Sequence, residues 1–429
     1  MLEIRLFREN PEIIKKDLEK RNRKDLLPLV AEIVELDKDY RELLQKSQSL
    51  RSRRNELTEQ VKKLKFEKKE AEAKKIIAEA NKVPEQIKEI EAIQNELKEK
   101  LDSKLLRIPN LLHESVPVGR DDSENKVERI WGKEKAAANK NLIHHGELAV
   151  KLNLADFTQS SKISGAGFFT LKGGLALMEL ALQRLAIDHL LGKGFTLILA
   201  PFMLKKDAYQ GVTDMDDFEN VMYKVDGGDL YLIATSEHSL VSLHKDGSID
   251  AKKLPLKYIG LSPCFRKEIG KHSIDERGLF RVHQFNKVEQ VVFCHPKDSW
   301  KIHEELLKNS EELLQQLEIP YRVVNVCTGD MGTVAAKKYD IEAYSPREDK
   351  YVELMSCSNV LTYQAVRSNI KFKNADGSKE YLHTLNNTAI ATSRALRIIL
   401  EHYQTPEGTV KVPKALQKYM NNLIELKKE

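Results

Sequence analysis

The chain has 429 residues, 41% of them hydrophobic, enough for two or three domains with sizeable cores. Its 70 basic and 65 acidic side chains nearly cancel to a net charge of +5, so bulk charge alone does not announce a polyanionic partner. There is no run of about eighteen apolar residues, the N-terminus MLEIRLFRENPEIIKKDLEK is too charged for a signal peptide, and the four cysteines form no CxxC pair. These features predict a cytoplasmic protein with buried free thiols, no structural zinc and no membrane span.

From residue 26 to about 108 the sequence contains no glycine, and its hydrophobic residues recur in alternating steps of three and four. Ile33, Leu36, Tyr40, Leu43, Leu50, Leu57, Val61 and Leu64 define one a/d seam, interrupted by Ser47 and Arg54; Ile87, Ile90, Leu97 and Leu101 define a second. The pattern fades across KFEKKEAEAKK, residues 65 to 75, which predicts two long helices closed as an antiparallel hairpin turning there, with Pro84 kinking or restarting the second. At about 1.5 Å per residue, about 35 residues would project roughly 50 Å. The distal part is basic: Arg51, Arg53, Arg54, Lys62, Lys63 and Lys65, followed by Lys68, Lys69, Lys74 and Lys75, outnumber the glutamates between them. Such an arm suits a nucleic-acid grip, a dimerisation rod, a spacer or a seat for a partner protein. RIPNLLHESVP, residues 107 to 117, then reads as a linker, dividing the chain into an arm at 1–108, a linker at 109–120 and a body at 121–429.

In the body, LALMELALQRLAIDHLL (175 to 191) predicts a helix that ends at Gly192 and Gly194 and runs into FTLILAP, a short strand stopped by Pro201. LYLIAT, YIGLSP, VHQFNKVEQVVF and YRVVNV read as strands with connections too varied for a βαβ repeat. The expected body is therefore α+β, a mostly antiparallel sheet with helices on it. Neither GxxxxGK[ST] nor GxGxxG occurs, so any nucleotide is held without a Walker or Rossmann loop. CFRKEIGKHSIDERGLFRVHQFNKVEQ, residues 264 to 290, mixes charged and aromatic residues and ends in a strand-like alternation. It is either a solvated hairpin with its Phe residues on a core or a set of groups presented to a ligand. TLNNTAIATSRALRIILEHYQ, residues 384 to 404, predicts a polar turn at Asn386 and Asn387. A helix then follows with Ala391, Ala395, Ile398 and Ile399 on one face. Arg394 in its first turns works against the helix dipole; it is either paired locally or aimed at anionic ligand oxygens.

Cys264 to Gln290, with FRKE, RVHQF and KVE, resembles motif 2 of class II aminoacyl-tRNA synthetases. The helix leading to Pro201 resembles motif 1, and TSRALRIILEHYQ resembles motif 3. LIATSEHSL (232 to 240), CTGDMGTVAAKKYDIEAY and HTLNNTAIATSR are similar to the seryl-tRNA synthetase family, in its archaeal and eukaryotic-type branch, whose appended domain is an N-terminal antiparallel coiled coil. The resemblance covers essentially the whole chain. It implies activation of L-serine with ATP and transfer of the seryl group to tRNA(Ser), with tRNA(Sec) as a second acceptor, in a homodimer built on motif 1. It implies Mg²⁺ and, because the TSE segment is present, no zinc.

Carried over residue by residue, the resemblance puts Arg266 on the α-phosphate and Arg394 on the γ-phosphate, tasks that suit guanidinium forks. Lys267 and Glu268 join the ATP set. Glu268 accepts from the adenine amino group, Phe285 stacks under the ring with Arg394 over its other face, and Val282 lies beside the base on the same strand. Glu353, Leu354, Met355 and Ser356 complete that set, with Glu353 and Ser356 as the Mg²⁺ pair, since hard oxygens suit that ion. Thr235, Ser236, Glu237, Glu289 and Thr388 form the serine set. Arg51, Arg53, Arg54, Lys62, Lys63 and Lys65 meet the tRNA. The chain departs from the family pattern at Thr362 and Val366, where Asp and Arg are usual, and at Ser239, where Pro is common. Those departures leave room for a synthetase-like paralogue that binds or activates an amino acid without charging tRNA. A coiled-coil nucleic-acid-binding protein with an inert body is the remaining alternative.

Overall fold

A computed structural model describes residues 1–214, 221–268 and 278–428. They divide into two units, Leu2–Pro109 and Asn110–Glu429, the second joined by Met1.

The first unit carries the arm as three helices rather than two: α1 (Leu27–Phe66), α2 (Glu70–Ala80) and α3 (Val83–Leu106). The turn lies within the stretch where the seam fades. A second break precedes Pro84, which sits in the first turn of α3, where its missing N–H costs nothing. Leu57, Val83 and Ile87 are buried together, with Leu50, Ile76 and Ala80 packed on them, so the two seams meet. Ser47 interrupts the apolar pattern yet is itself buried. At the root of the arm, buried Asp37 accepts from Arg8 at 2.7 and 2.8 Å and from Arg41 at 2.9 Å.

The second unit is built on an eight-stranded sheet. Its strands are β1 (Lys126–Trp131), β2 (Thr196–Ile198), β3 (Leu256–Phe265), β4 (Gln284–Cys294), β5 (Tyr321–Asn325), β6 (Lys337–Ser345), β7 (Lys350–Leu361) and β8 (His383–Ala391). The spatial order is β1-β5-β6-β7-β8-β4-β3-β2, antiparallel throughout except for the parallel β2–β3 pair at one edge. Helices α4 (Gly173–Leu191), α5 (Ser236–Ser242), α6 (Ser299–Gln316) and α7 (Thr392–His402) pack on it. Alternation along β4 sorts its two faces. Val288 and Val292 join the core formed with α4, α6 and α7, whereas Val291 and Phe293 join a separate cluster with Leu240 and Val241 of α5. Phe285, Lys287 and Glu289 share the parity of Val291, so they point away from the helical core. Cys264, Cys294, Cys327 and Cys357 are free and buried.

Two local expectations fail. Asn386 and Asn387 are not in a turn; they lie within β8, and α7 starts only at Thr392. Each amide side chain is bonded to a residue remote in sequence. Asn386 Nδ2 donates to Glu237 Oε1 at 2.9 Å, and Asn387 Nδ2 donates to Ser310 Oγ at 2.8 Å. Val282 is not on the strand with Phe285, because β4 begins at Gln284. Residues 110–119 are hydrogen-bonded into the body, with Asn110 Nδ2 donating to Val334 O at 2.9 Å and Val360 O at 2.7 Å, and Thr328 N donating to Pro117 O at 2.9 Å.

Candidate active site

A cavity of about 320 Å³ opens where β4, β6, β7 and β8 meet the starts of α5 and α7, with Arg266, just past the end of β3, on its lining. Of the predicted residues, Thr235, Glu237, Arg266, Phe285, Glu289, Glu353, Leu354, Ser356, Thr388 and Arg394 line it.

Two β-bulges create that convergence. Glu353 and Ser356 are three residues apart, which on a regular strand would send them to opposite faces. The register of β7 against β6 shifts between the pairs Ile341–Met355 and Glu342–Glu353, so Leu354 is the extra residue, and both side chains reach the cavity. A second shift, between the pairs Thr388–Glu289 and Ile390–Val288, re-aims β8 just before α7 delivers Arg394. Gly260, paired with Glu289 in the ladder, admits the α5 start: a Cβ there would lie 2.3 Å from Ser236 Oγ.

One end of the cavity is carboxylate-rich. Glu289 Oε2 lies 2.6 Å from Lys287 Nζ and accepts from Thr388 Oγ1 at 3.2 Å; all three residues are buried. Glu237 accepts from Gln364 Nε2 at 2.7 Å as well as from Asn386. Burial, then repulsion from Glu289, pushes Glu237 up from 4.5 to about 7, against the opposing pull of Gln364, Lys287 and Arg266. His238 donates to or accepts from Tyr209 Oη at 3.0 Å, and burial, reinforced by Lys287 and Arg266, holds it neutral with a pKa of about 3. Thr235 caps α5, its hydroxyl accepting from Glu237 N at 3.3 Å.

At the other end, Arg394 Nη1 lies 3.0 Å from Glu353 O and 3.2 Å from Glu353 Oε1. Burial acts to raise the Glu353 carboxyl, but Arg394, Lys338 and Arg266 outweigh it and hold it below the usual glutamate range. Beneath it, burial pushes Asp340 up to about 6 despite Lys338, whose Nζ is 3.1 Å away. Arg266 lines the same cavity as Glu237 and Glu353, and its charge favours the ionised form of both carboxyls. Its guanidinium stacks over Phe285, 5.4 Å from the ring centroid.

Some predicted residues stand apart. Ser236 is buried beneath Gly260, Met355 belongs to the helical core, and Val282 is buried outside the cavity. Lys267 donates its backbone N–H to Val221 O at 2.9 Å and sits over the Tyr223 ring. Glu268 adopts φ +46° and faces Arg281 Nη1 at 3.8 Å. Between motif 2's arms, residues 269–277 lie outside the described residues. Sequence reasoning missed Lys287, Lys338 and Gln364. It also missed Phe280, whose ring lies 5.0 Å from Arg394 and 4.6 Å from Arg397. The departures Thr362 and Val366 do not line the cavity, and Val366 is buried. Ser239 donates its hydroxyl to Pro201 O at 2.6 Å.

On the arm, Arg53 is paired with Glu79 at 2.8 Å and Lys62 with Glu59 at 2.6 Å; Arg51 is paired with Glu91. Arg54, Lys63 and Lys65 are exposed and make no ion pair among the described residues.

Residues 1–112 match the seryl-tRNA synthetase N-terminal domain, and residues 222–403 match the class II tRNA synthetase core domain of the G, H, P, S and T enzymes. A serine–tRNA ligase of Methanospirillum hungatei is 52% identical over 424 residues, covering 98% of this chain and 99% of that one. The chain belongs to the seryl-tRNA synthetase family. A second relative in this family, from Thermococcus sibiricus, is 46% identical over 98% of this chain and 96% of its own length. The crystal structure of seryl-tRNA synthetase from Pyrococcus horikoshii complexed with ATP superposes with a TM-score of 0.91 at 44% identity, covering 100% of both chains. The cytoplasmic serine–tRNA ligase of Naegleria fowleri in complex with AMP gives 0.86 at 36% identity, over 100% of this chain and 99% of that one.

Proposed function

We propose that this protein is a serine–tRNA ligase that joins L-serine to ATP and passes the seryl group to tRNA(Ser). The serine carboxylate attacks the α-phosphorus and pyrophosphate departs; a hydroxyl at the 3′ end of the tRNA then attacks the seryl carbonyl carbon, releasing AMP. The observation that carries this reading is that Glu237, Glu289 and Thr388 share one cavity with Arg266, Phe285, Glu353 and Arg394. A carboxylate is already a nucleophile, so the first step asks for positioning and for donors to phosphate oxygens rather than for a base.

In this assignment Glu237 and Glu289 meet the serine ammonium and hydroxyl beside Thr388 and Asn386, Arg266 spans the serine carboxylate and the α-phosphate, and Arg394 takes the terminal phosphate. Phe285 carries the adenine, with Glu268 at its amino group. Glu353 and Ser356, turned to one face by the bulge, offer hard oxygens suited to Mg²⁺, which when bound neutralises phosphate charge. Arg54, Lys63 and Lys65, with the paired Arg51, Arg53 and Lys62, form the tRNA grip. A homodimer would cover the exposed apolar residues Leu180, Leu197, Leu199, Phe202 and Met203 around motif 1. Among the described residues no helix is long and apolar enough to cross a membrane, and four free buried thiols suit a reducing compartment such as the cytoplasm. Charging of a tRNA(Ser) transcript with labelled serine tests the assignment; ATP consumption without seryl-tRNA would support the paralogue instead.

Two outcomes concern the serine end. Glu289→Ala should raise the KM for serine by about a hundredfold while ATP shifts little, because the cost is a substrate polar group left unpaired; parallel losses for both ligands in exchange kinetics would assign Glu289 a general role in folding. The second is a pH dependence. Glu237 is raised in the folded state, so its neutral form is favoured. The stability this lends the folded protein is complete below 4.5 and is lost as pH rises through about 7. Serine binding runs the opposite way, since its ammonium prefers the ionised carboxylate. The KM for serine should therefore rise as pH falls below about 7, by up to about tenfold per pH unit, and Glu237→Gln should abolish that slope. A wild-type KM flat from pH 6 to 8 would remove Glu237 from contact with the ammonium.

A further inference from the structure

We propose that Glu179, on α4 and outside the cavity, is a positioning residue for the ATP half of the site; this rests on the ligase reading above. Its Oε1 accepts from Asn286 Nδ2 at 2.8 Å and from Thr392 Oγ1 at 2.9 Å, and Thr392 Oγ1 also lies 2.9 Å from Asn286 O. The three residues come from α4, β4 and α7. Asn286 follows Phe285 directly, and Thr392 opens α7 two residues ahead of Arg394. One carboxylate thus clamps the strand end that carries the adenine platform to the helix start that carries the γ-phosphate arginine.

The clamp sits where backbone pairing stops. The ladder between β4 and β8 ends at the pair Lys287–Ala391, so no backbone bond of that ladder joins Phe285 or Asn286 to residues 392–394. A second cavity of about 420 Å³, bounded by Phe168, Glu179, Leu180, Phe285 and Asn286, borders this strand end. The serine groups are held differently. Thr388 and Glu289 are ladder partners, Lys287 grips Glu289, and Ser310 Oγ donates to Thr388 O at 2.9 Å. Loosening the clamp should therefore displace the ATP contacts and leave the serine contacts in register.

The test is serine-dependent pyrophosphate exchange by the full-length protein and three variants: Glu179→Ala, Asn286→Asp, and Asn286→Asp combined with Glu179→Gln. Glu179→Ala should raise the KM for ATP about tenfold while the KM for serine stays within about twofold, the asymmetry expected of a misplacement near one ligand. Asn286→Asp alone, which sets two carboxylates face to face, should do the same. The paired variant should recover ATP binding, because the new amide can donate to the new carboxylate. An unchanged KM for ATP in Glu179→Ala, parallel rises for ATP and serine, or no recovery in the paired variant would overturn the proposal; the paired comparison decides if Glu179→Ala fails to fold. Absence of exchange in the wild-type protein would instead bring down the ligase reading, and the positioning role with it.

Discussion

Arg266→Ala should lower serine-dependent adenylate formation by about a hundredfold or more, the loss seen when a preorganised donor to developing charge is removed. Arg266 directly follows β3, its backbone N–H donating to His283 O at 2.9 Å; its guanidinium stacks on Phe285, and its charge acts on the Glu237 and Glu353 carboxyls. Its removal takes away the cation between two anionic substrates, and it leaves Glu237 with less opposition to protonation. Arg266→Lys should recover only part of the rate, since an ammonium keeps the charge but not the planar fork. Exchange kinetics near wild type in a folded Arg266→Ala protein would take Arg266 out of the reaction.

The second large effect is on the arm. Deleting residues 30 to 105 and closing the gap with a short linker should leave serine-dependent pyrophosphate exchange largely intact while aminoacylation collapses. Every residue that lines the cavity belongs to the unit Asn110–Glu429, whereas the basic cluster from Arg51 to Lys65 lies wholly in the other. Recognition there would be of phosphate and shape, so tRNA affinity should fall steeply with ionic strength. Arg54, Lys63 and Lys65, which have no local ion pair to break among the described residues, should each flatten the salt slope by somewhat under one when neutralised. Arg51, Arg53 and Lys62 are tied to glutamates and should contribute less. Normal charging by the armless protein would return the coiled coil to a spacer or a partner-binding rod.

Much of this architecture was legible because periodicity reports which face of an element is buried. The a/d seams from Ile33 to Leu101 announced the arm, and the alternation from Phe285 to Val291 placed Phe285 and Glu289 on one face of β4. The pair Asn386 and Asn387 reads as a turn from asparagine's turn preference, which side-chain bonds to Glu237 and Ser310, partners remote in sequence, outweigh in the fold. The pairing of Glu353 with Ser356 could be named only through the family resemblance: simple alternation separates them, and no composition signal marks the bulge at Leu354. Lys287 was visible as a residue but not as Glu289's counter-ion, and Phe280 gave no sign that two arginines would stack on it. Gln364 lies far along the chain from the TSE segment it supports, so only the folded arrangement reveals the bond to Glu237.

The most direct measurement is exchange of labelled pyrophosphate into ATP by the purified protein with each amino acid in turn. Serine should support exchange, with threonine, alanine and cysteine weaker by orders of magnitude, because the buried polar groups around Glu237, Glu289 and Thr388 stay unpaired without a correctly placed hydroxyl and ammonium. Exchange driven by another amino acid, or none in the presence of serine, would contradict the account.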